Sequence, residues 1–251
     1  HGLFSPHSQS EKTIGRPVKW VSSRAEAFLS DSHGRDNVVE VGLALDADGK
    51  FLALRVDSVA NLGAFLMQGT VNPPVNNIGS IAGVYTLPAI YANVVAAFTN
   101  TTPTRPYRGA GRPEAAFMIE RIVDLAADVT GIDPAELRRK NAIPPSAMPY
   151  KTALTFVYDC GEFAETMTEA LDLADYAGFA RRRDESRKRG KLRGIGMSNT
   201  IEKAGSPGLE GAEVRFDRSG TVSILAGSVT TGQGHETVFK QIVADRFGLK
   251  P

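Results

Sequence analysis

Two glycine-rich stretches hold the residues most able to do chemistry. The first, Pro106-Tyr107-Arg108-Gly109-Ala110-Gly111-Arg112-Pro113-Glu114, stands between a strand-like run and a long helical one. Its glycines let backbone approach a ligand, and the N–H groups that open the helix face outward, which favours an anion. Arg108 and Arg112 add forked donors suited to phosphate or oxo groups. A plain strand-to-helix turn is the competing reading. The second stretch, Thr230-Thr231-Gly232-Gln233-Gly234-His235-Glu236-Thr237, again joins a strand to a helix. Gln233 carries both donor and acceptor between two glycines that clear space around it, a combination suited to a ring edge with alternating donors and acceptors. Here the competing reading is a first helical turn capped by threonine.

Other candidates carry less. Arg181 to Lys191 is strongly basic, yet it has no interleaved aromatic and contains Asp184 and Glu185, so it reads as a solvated helix face rather than a nucleic-acid surface. His1, His7, His33 and His235 lack any metal-ligand spacing, and no metal site built from side chains is expected. Cys160, the single cysteine, can form no internal disulfide and has no base paired with it in the sequence. The 29 basic and 28 acidic side chains nearly cancel, which leaves no global field to steer the chain toward nucleic acid or an anionic membrane. No run approaches the roughly 18 apolar residues that span a bilayer, and the polar start at His1 lacks a signal peptide's apolar core. A soluble, cytoplasmic protein is expected.

The elements that must position the two loops follow from periodicity. Arg16 to Val21 reads as a short buried strand. Val38 to Leu45 and Phe51 to Val59 form a hairpin about Asp46-Ala47-Asp48-Gly49-Lys50, whose Asp-Gly supplies a positive φ. Tyr91 to Phe98 is a further strand, and the prolines of the loop after it forbid ladder pairing. Phe117, Ile119, Ile122, Val123, Leu125, Ala126 and Val129 give a helix from Glu114 that Gly131 ends, and Asp133-Pro134 opens another. Ile143-Pro144-Pro145 and the polar stretch to Thr155 read as a linker. Beyond it come a helix over Phe163 to Tyr176 and strands at Gly194 to Glu202, Ala212 to Phe216 and Thr221 to Ala226. The fold class is α+β, with one domain over 1–145 and a second over 146–251.

Gly15-Arg16-Pro17-Val18-Lys19-Trp20, Ser23-Arg24-Ala25-Glu26-Ala27-Phe28 and Ser32-His33-Gly34-Arg35 resemble, in that order, a stretch of molybdenum hydroxylase large subunits. That group contains xanthine dehydrogenase, aldehyde oxidase and aerobic carbon monoxide dehydrogenase. Tyr107-Arg108-Gly109-Ala110-Gly111-Arg112 is similar to the family's active-site loop, and Gly232-Gln233-Gly234-His235-Glu236-Thr237 to its pterin-binding loop. The resemblance runs from about Gly15 to the last residue. It implies two mixed α/β subdomains of the large subunit, each incomplete. It also implies molybdenum held by a pyranopterin, in the molybdopterin cytosine dinucleotide form, rather than by side chains. Tyr107, Arg108 and Gly109 would lie near the metal, with Arg108 orienting substrate or stabilising developing charge. Gly232, Gln233 and Gly234 would contact the cofactor. The implied reaction is oxidative hydroxylation of an aldehyde or N-heterocycle with water-derived oxygen. Electrons would leave through FAD and [2Fe-2S] on partner subunits of a hetero-oligomer.

Departures from the family pattern sharpen the expectation. Gly109 stands where the copper-containing carbon monoxide dehydrogenases have cysteine, so carbon monoxide is the less favoured substrate. Asn72-Pro73-Pro74-Val75-Asn76-Asn77 holds no arginine of the kind that orients purines in xanthine oxidoreductases. Both ends read as cut, with the family's Gly-Gly-Phe-Gly loop expected upstream and the Gly-x-Gly-Glu segment that supplies the general base expected downstream. The fragment alone is then expected to be inactive. The alternative is a non-catalytic truncated or scaffold module.

Overall fold

A computed structural model describes residues 9–76, 78–202, 210–228, 230 and 232–250. His1, His7, the polar start, Asn77 and Thr231 lie outside the described residues. The described chain divides into two compact units, one ending at Glu202 and the other following it.

The first unit begins with α1 (Gln9–Ile14) and α2 (Arg24–Ser30). Ser23 starts α2 through a capping box: its Oγ accepts from the Glu26 N–H, and its own N–H donates to the Glu26 carboxylate at 2.7 Å. The buried strand expected at Arg16 to Val21 is not formed. Trp20 and Val21 are exposed and the segment pairs with no described neighbour, so a β-prone composition without a partner strand stays irregular.

The hairpin forms as expected from β1 (Asn37–Leu45) and β2 (Phe51–Gly63), antiparallel. Asp46 Oδ1 accepts from the N–H groups of Asp48 and Lys50, and Gly49 takes a φ of 82°. β2 is the central strand, and on its far side β3 (Ala89–Phe98) runs parallel to it. A parallel neighbour needs a long crossover. The stretch between β2 and β3 supplies it and buries Ile81, Ala82, Val84, Tyr85 and Leu87.

One face of β2, with Leu54, Val56, Ala60 and Leu62, is buried. The core joins Phe51, Leu54 and Val56 to Ile119 and Val123 of α3 (Arg112–Thr130) and to Leu137 of α4 (Pro134–Asn141). The helix boundaries agree with the periodicity: Gly131 closes α3 with a φ of 72°, and Asp133 caps α4 by accepting from the N–H groups of Ala135 and Glu136.

Within this apolar layer lies a buried polar cluster. Arg138 is fully buried, with Nε 2.9 Å from Glu120 Oε2 and Nη2 2.8 Å from Asp124 Oδ1. Tyr85 donates to Glu120 Oε1 at 2.6 Å. Burial, and then the Glu120 charge, raise the Tyr85 hydroxyl above its ordinary pKa, so it stays a donor. Burial, the largest single influence, would lower the Arg138 value, but Glu120, Tyr85 and Asp124 together outweigh it and the guanidinium stays charged. Asn141 completes the arrangement: its Oδ1 accepts from Phe51 N–H at 2.8 Å and its Nδ2 donates to the carbonyls of Gly49 and Leu137. The end of α4 is thereby fastened to the hairpin turn.

After α4 the chain forms a two-strand ladder of β4 (Tyr150–Lys151) and β5 (Val157–Tyr158), then α5 (Phe163–Leu173) and α6 (Phe179–Lys188). The Tyr158 hydroxyl donates to Gly83 O at 2.8 Å. The basic run is largely a solvated face of α6, where Arg181 pairs with Glu185. The strand expected at Gly194 to Glu202 is absent. Its segment is held by side chains rather than a ladder: Arg138 donates to Met197 O, and Asn199 Nδ2 donates to Phe163 O at 2.9 Å. The second unit contains an antiparallel pair, β6 (Ala212–Phe216) and β7 (Val222–Ala226), and α7 (His235–Phe247).

Two outcomes follow. Arg138→Met leaves the Glu120 carboxylate buried without its cation, and urea unfolding is expected to show a loss of about 3–5 kcal/mol. Tyr158, pushed up to about 12 chiefly by burial, is neutral when folded at a pH where the unfolded residue, with a pKa of about 10, already ionises. Its contribution is therefore fully present below about pH 10 and lost as pH rises toward about 12. Unfolding midpoints measured across that window should fall, and should fall less in Tyr158→Phe.

Candidate functional site

The first loop is built by threading chain past the end of β2. Thr104 N–H donates to Leu62 O, its Oγ1 donates to Asn61 O at 3.0 Å, and its carbonyl accepts from Thr70 Oγ1 at 2.9 Å. On the other side lies the segment before β1: His33 N–H donates to Pro103 O, and Arg105 N–H donates to His33 O at 2.7 Å. With Pro106 unable to donate, the backbone then turns on itself. Ala110 N–H reaches Tyr107 O at 2.7 Å and Arg112 N–H reaches Gly109 O at 3.1 Å.

Positive φ angles at Gly109 (93°), Ala110 (47°) and Gly111 (101°) make the reversal. At Gly109 glycine is required twice, by its φ and because an added Cβ would lie 2.5 Å from the Pro113 ring. Gly111 then caps α3 with no side-chain hydrogen bond; the Arg112 N–H is taken by Gly109 O and Pro113 has none, so the outward row of donors expected at this helix start is not formed at its first two positions.

Three arginines surround this turn, and the structure separates their duties. Arg112 is engaged: its Nε lies 2.9 Å from Glu202 and its Nη1 donates to Gly109 O. Arg35, whose position in the sequence gave no sign of a role, lies against the loop. Its guanidinium donates to the carbonyl of Arg108, sits 4.7 Å from the centre of the Tyr107 ring and comes 3.8 Å from Glu114 Oε2. Arg108 itself is exposed, and its guanidinium has no carboxylate partner among the described residues. The expected pair of open forks, Arg108 and Arg112, is thus reduced to Arg108.

The second loop belongs to the second unit. Gly232 and Gly234 have φ of 114° and 73°, with open space where a Cβ would stand. Gly234, not a threonine, caps α7, and no side chain among the described residues caps the helix start. The helix begins at His235 with Gly234 in the cap position, so the Thr-capped turn is not what forms. Gln233 is exposed, while His235 stacks on Phe239 and buries an Nδ1 without a hydrogen-bond partner among the described residues.

Elsewhere, Cys160 is exposed and the neighbouring Asp159 holds its thiol above the ordinary value, the wrong direction for a nucleophile. No group of three or more His, Cys, Asp or Glu among the described residues could hold a metal ion. No helix of the described residues is long and apolar enough to cross a membrane.

Comparison with known proteins adds a family. Residues 9–142 and residues 169–251 each match a molybdopterin cofactor-binding domain. The chain is 36% identical to the 6-hydroxypseudooxynicotine dehydrogenase complex subunit gamma of Paenarthrobacter nicotinovorans, over 96% of this chain and 31% of that protein. It is 34% identical to the carbon monoxide dehydrogenase large chain of Hydrogenophaga pseudoflava, over 94% of this chain and 32% of that one. Quinoline 2-oxidoreductase from Pseudomonas putida 86 superposes with a TM-score of 0.85 at 33% identity, covering 94% of this chain and 32% of that one. The chain thus spans about a third of the length of these relatives.

The steric limit at Gly109 can be measured. Gly109→Ala and Gly109→Cys are each expected to lower stability by about 1–3 kcal/mol in denaturant unfolding, since both a left-handed φ and the Pro113 ring oppose a Cβ. Wild-type stability in both variants would contradict the geometry.

Proposed function

Since the chain belongs to the molybdopterin cofactor-binding domain family of molybdenum hydroxylase large subunits, we propose that it serves oxidative hydroxylation of an N-heterocycle or aldehyde. Arg108 is the residue that orients the substrate and steadies developing negative charge. The observation that carries this reading is the division of the arginines: Arg35 and Arg112 face carboxylates, whereas Arg108 meets none among the described residues. An exposed guanidinium that meets no carboxylate among the described residues is a place for an electron-rich oxygen or ring nitrogen. Names among the relatives, a quinoline 2-oxidoreductase and a 6-hydroxypseudooxynicotine dehydrogenase, favour nitrogen-containing organic substrates.

The residues present fit a pyranopterin. α7 opens without a side-chain cap behind two glycines that leave open space, and Gln233 offers a donor and an acceptor between them. Gly232, Gln233 and Gly234 would hold the cofactor, and Tyr107, Arg108 and Gly109 would border its metal. When bound, the molybdenum pyranopterin supplies the two-electron redox chemistry. The cytosine dinucleotide form, partner subunits bearing FAD and [2Fe-2S], a hetero-oligomeric complex and a cytoplasmic location belong to the same proposal. So does a division into domains at about residue 145, supported by the two separate family matches.

Carbon monoxide is the weaker substrate reading even with a carbon monoxide dehydrogenase among the relatives, because Gly109 offers no thiol and the Pro113 ring fills the space of a Cβ. The 251 residues also contain no Gly-x-Gly-Glu, and without that base the 251-residue polypeptide would have no turnover.

The test is Arg108→Ala in the full-length subunit expressed with its partners. The expected result is a fall in kcat/KM of about 10²–10³ on quinoline-like heterocycles or aromatic aldehydes, with molybdenum content unchanged. Unaltered kinetics would remove Arg108 from the site. Turnover by the purified 251-residue chain would refute the need for the missing base.

A further inference from the structure

The geometry points to Arg35 as a positioning residue that locks the Tyr107–Arg112 loop in a single conformation. Three contacts converge on its guanidinium: the carbonyl of Arg108, the face of the Tyr107 ring and the carboxylate of Glu114. The first two fix adjacent residues of the loop. The third fixes Arg35 to the first turn of α3, so the loop is tied back to the helix that follows it.

The backbone around Arg35 is arranged for the task. Gly34 brings the chain so near that a Cβ there would lie 3.1 Å from Tyr107 Cβ. His33 exchanges hydrogen bonds with Pro103 and Arg105. Arg35 itself takes a φ of 60°, a left-handed conformation rare for a side chain of its size. Such strain persists only where surrounding contacts over-determine it. Glu114 has an Oε2 that is buried with no hydrogen bond among the described residues and faces Arg35 as its counter-charge. A guanidinium can donate to the carbonyl, lie flat on the ring and face the carboxylate at once, because its donors form a planar fork; an ammonium cannot.

The lock fixes which way the Arg108–Gly109 peptide turns, and with it the direction of the Arg108 side chain. Its link to catalysis rests on the proposed function above; the lock as such does not. Hydrogen exchange in the full-length complex separates the two. In Arg35→Met, amides of a peptide covering residues 106–112 are expected to exchange about tenfold faster, while a peptide covering α4 keeps its protection. Arg35→Lys should exchange as fast as Arg35→Met, since charge alone does not restore the fork. With the same proteins kcat should fall about tenfold at unchanged molybdenum content, KM moving little. Wild-type exchange in Arg35→Met, rescue by Arg35→Lys, or an equal rise in α4 would each overturn the lock. Faster loop exchange with unchanged kcat would keep the lock and overturn the catalytic reading of the loop.

Discussion

A carboxylate in the middle of an apolar helix face is costly unless a cation reaches it, and Glu120 of α3 is such a carboxylate. Arg138 reaches it from α4, Tyr85 from the crossover between β2 and β3, and the same guanidinium continues to the carbonyl of Met197. Four stretches of chain far apart in sequence therefore meet at one charge. Apolar packing could tolerate small sliding of α3 over the sheet; a forked donor on a buried carboxylate cannot, because a shift of an ångström leaves charge desolvated and unpaired. The cluster is thus best understood as setting register as well as stability.

The register of α3 matters because its first turn carries the loop. Pro113 and Glu114 belong to the helix, yet they bound the space at Gly109 and hold Arg35. Position is passed from the core, along a rigid helix, to a turn of a few residues. From the opposite side, the segment before β1 supplies His33, Gly34 and Arg35. The loop is gripped between an element preceding the sheet and one following it, which leaves its exposed edge, Tyr107 and Arg108, to face outward.

What was legible in the sequence was local. Asp46 and Gly49 marked the hairpin turn, Gly131 and Asp133 marked helix ends, and the apolar spacing from Phe117 to Val129 marked α3, because each signal lies within a few residues of the feature it makes. The family was legible from ordered motifs. Arg35 lies within one of them, but its role leaves no trace there, since its partner carbonyl is 73 residues away and backbone atoms leave no mark in a sequence. Arg112 is equivalent to Arg108 in the sequence, and only the fold sets Glu202 beside it. The strands expected at Arg16 to Val21 and Gly194 to Glu202 failed for a related reason. β-prone composition says nothing about whether a partner strand is at hand, and at Met197 and Asn199 side-chain hydrogen bonds took the place of a ladder.

The contact between Gly109 and the Pro113 ring has a corollary for substitution. A side chain arriving at 109 meets the Pro113 ring and a left-handed φ together, so the cost of that change depends on what stands four positions on. Substitutions at 109 and 113 are therefore expected to be non-additive, with a smaller residue at 113 lifting one of the two demands and leaving the other.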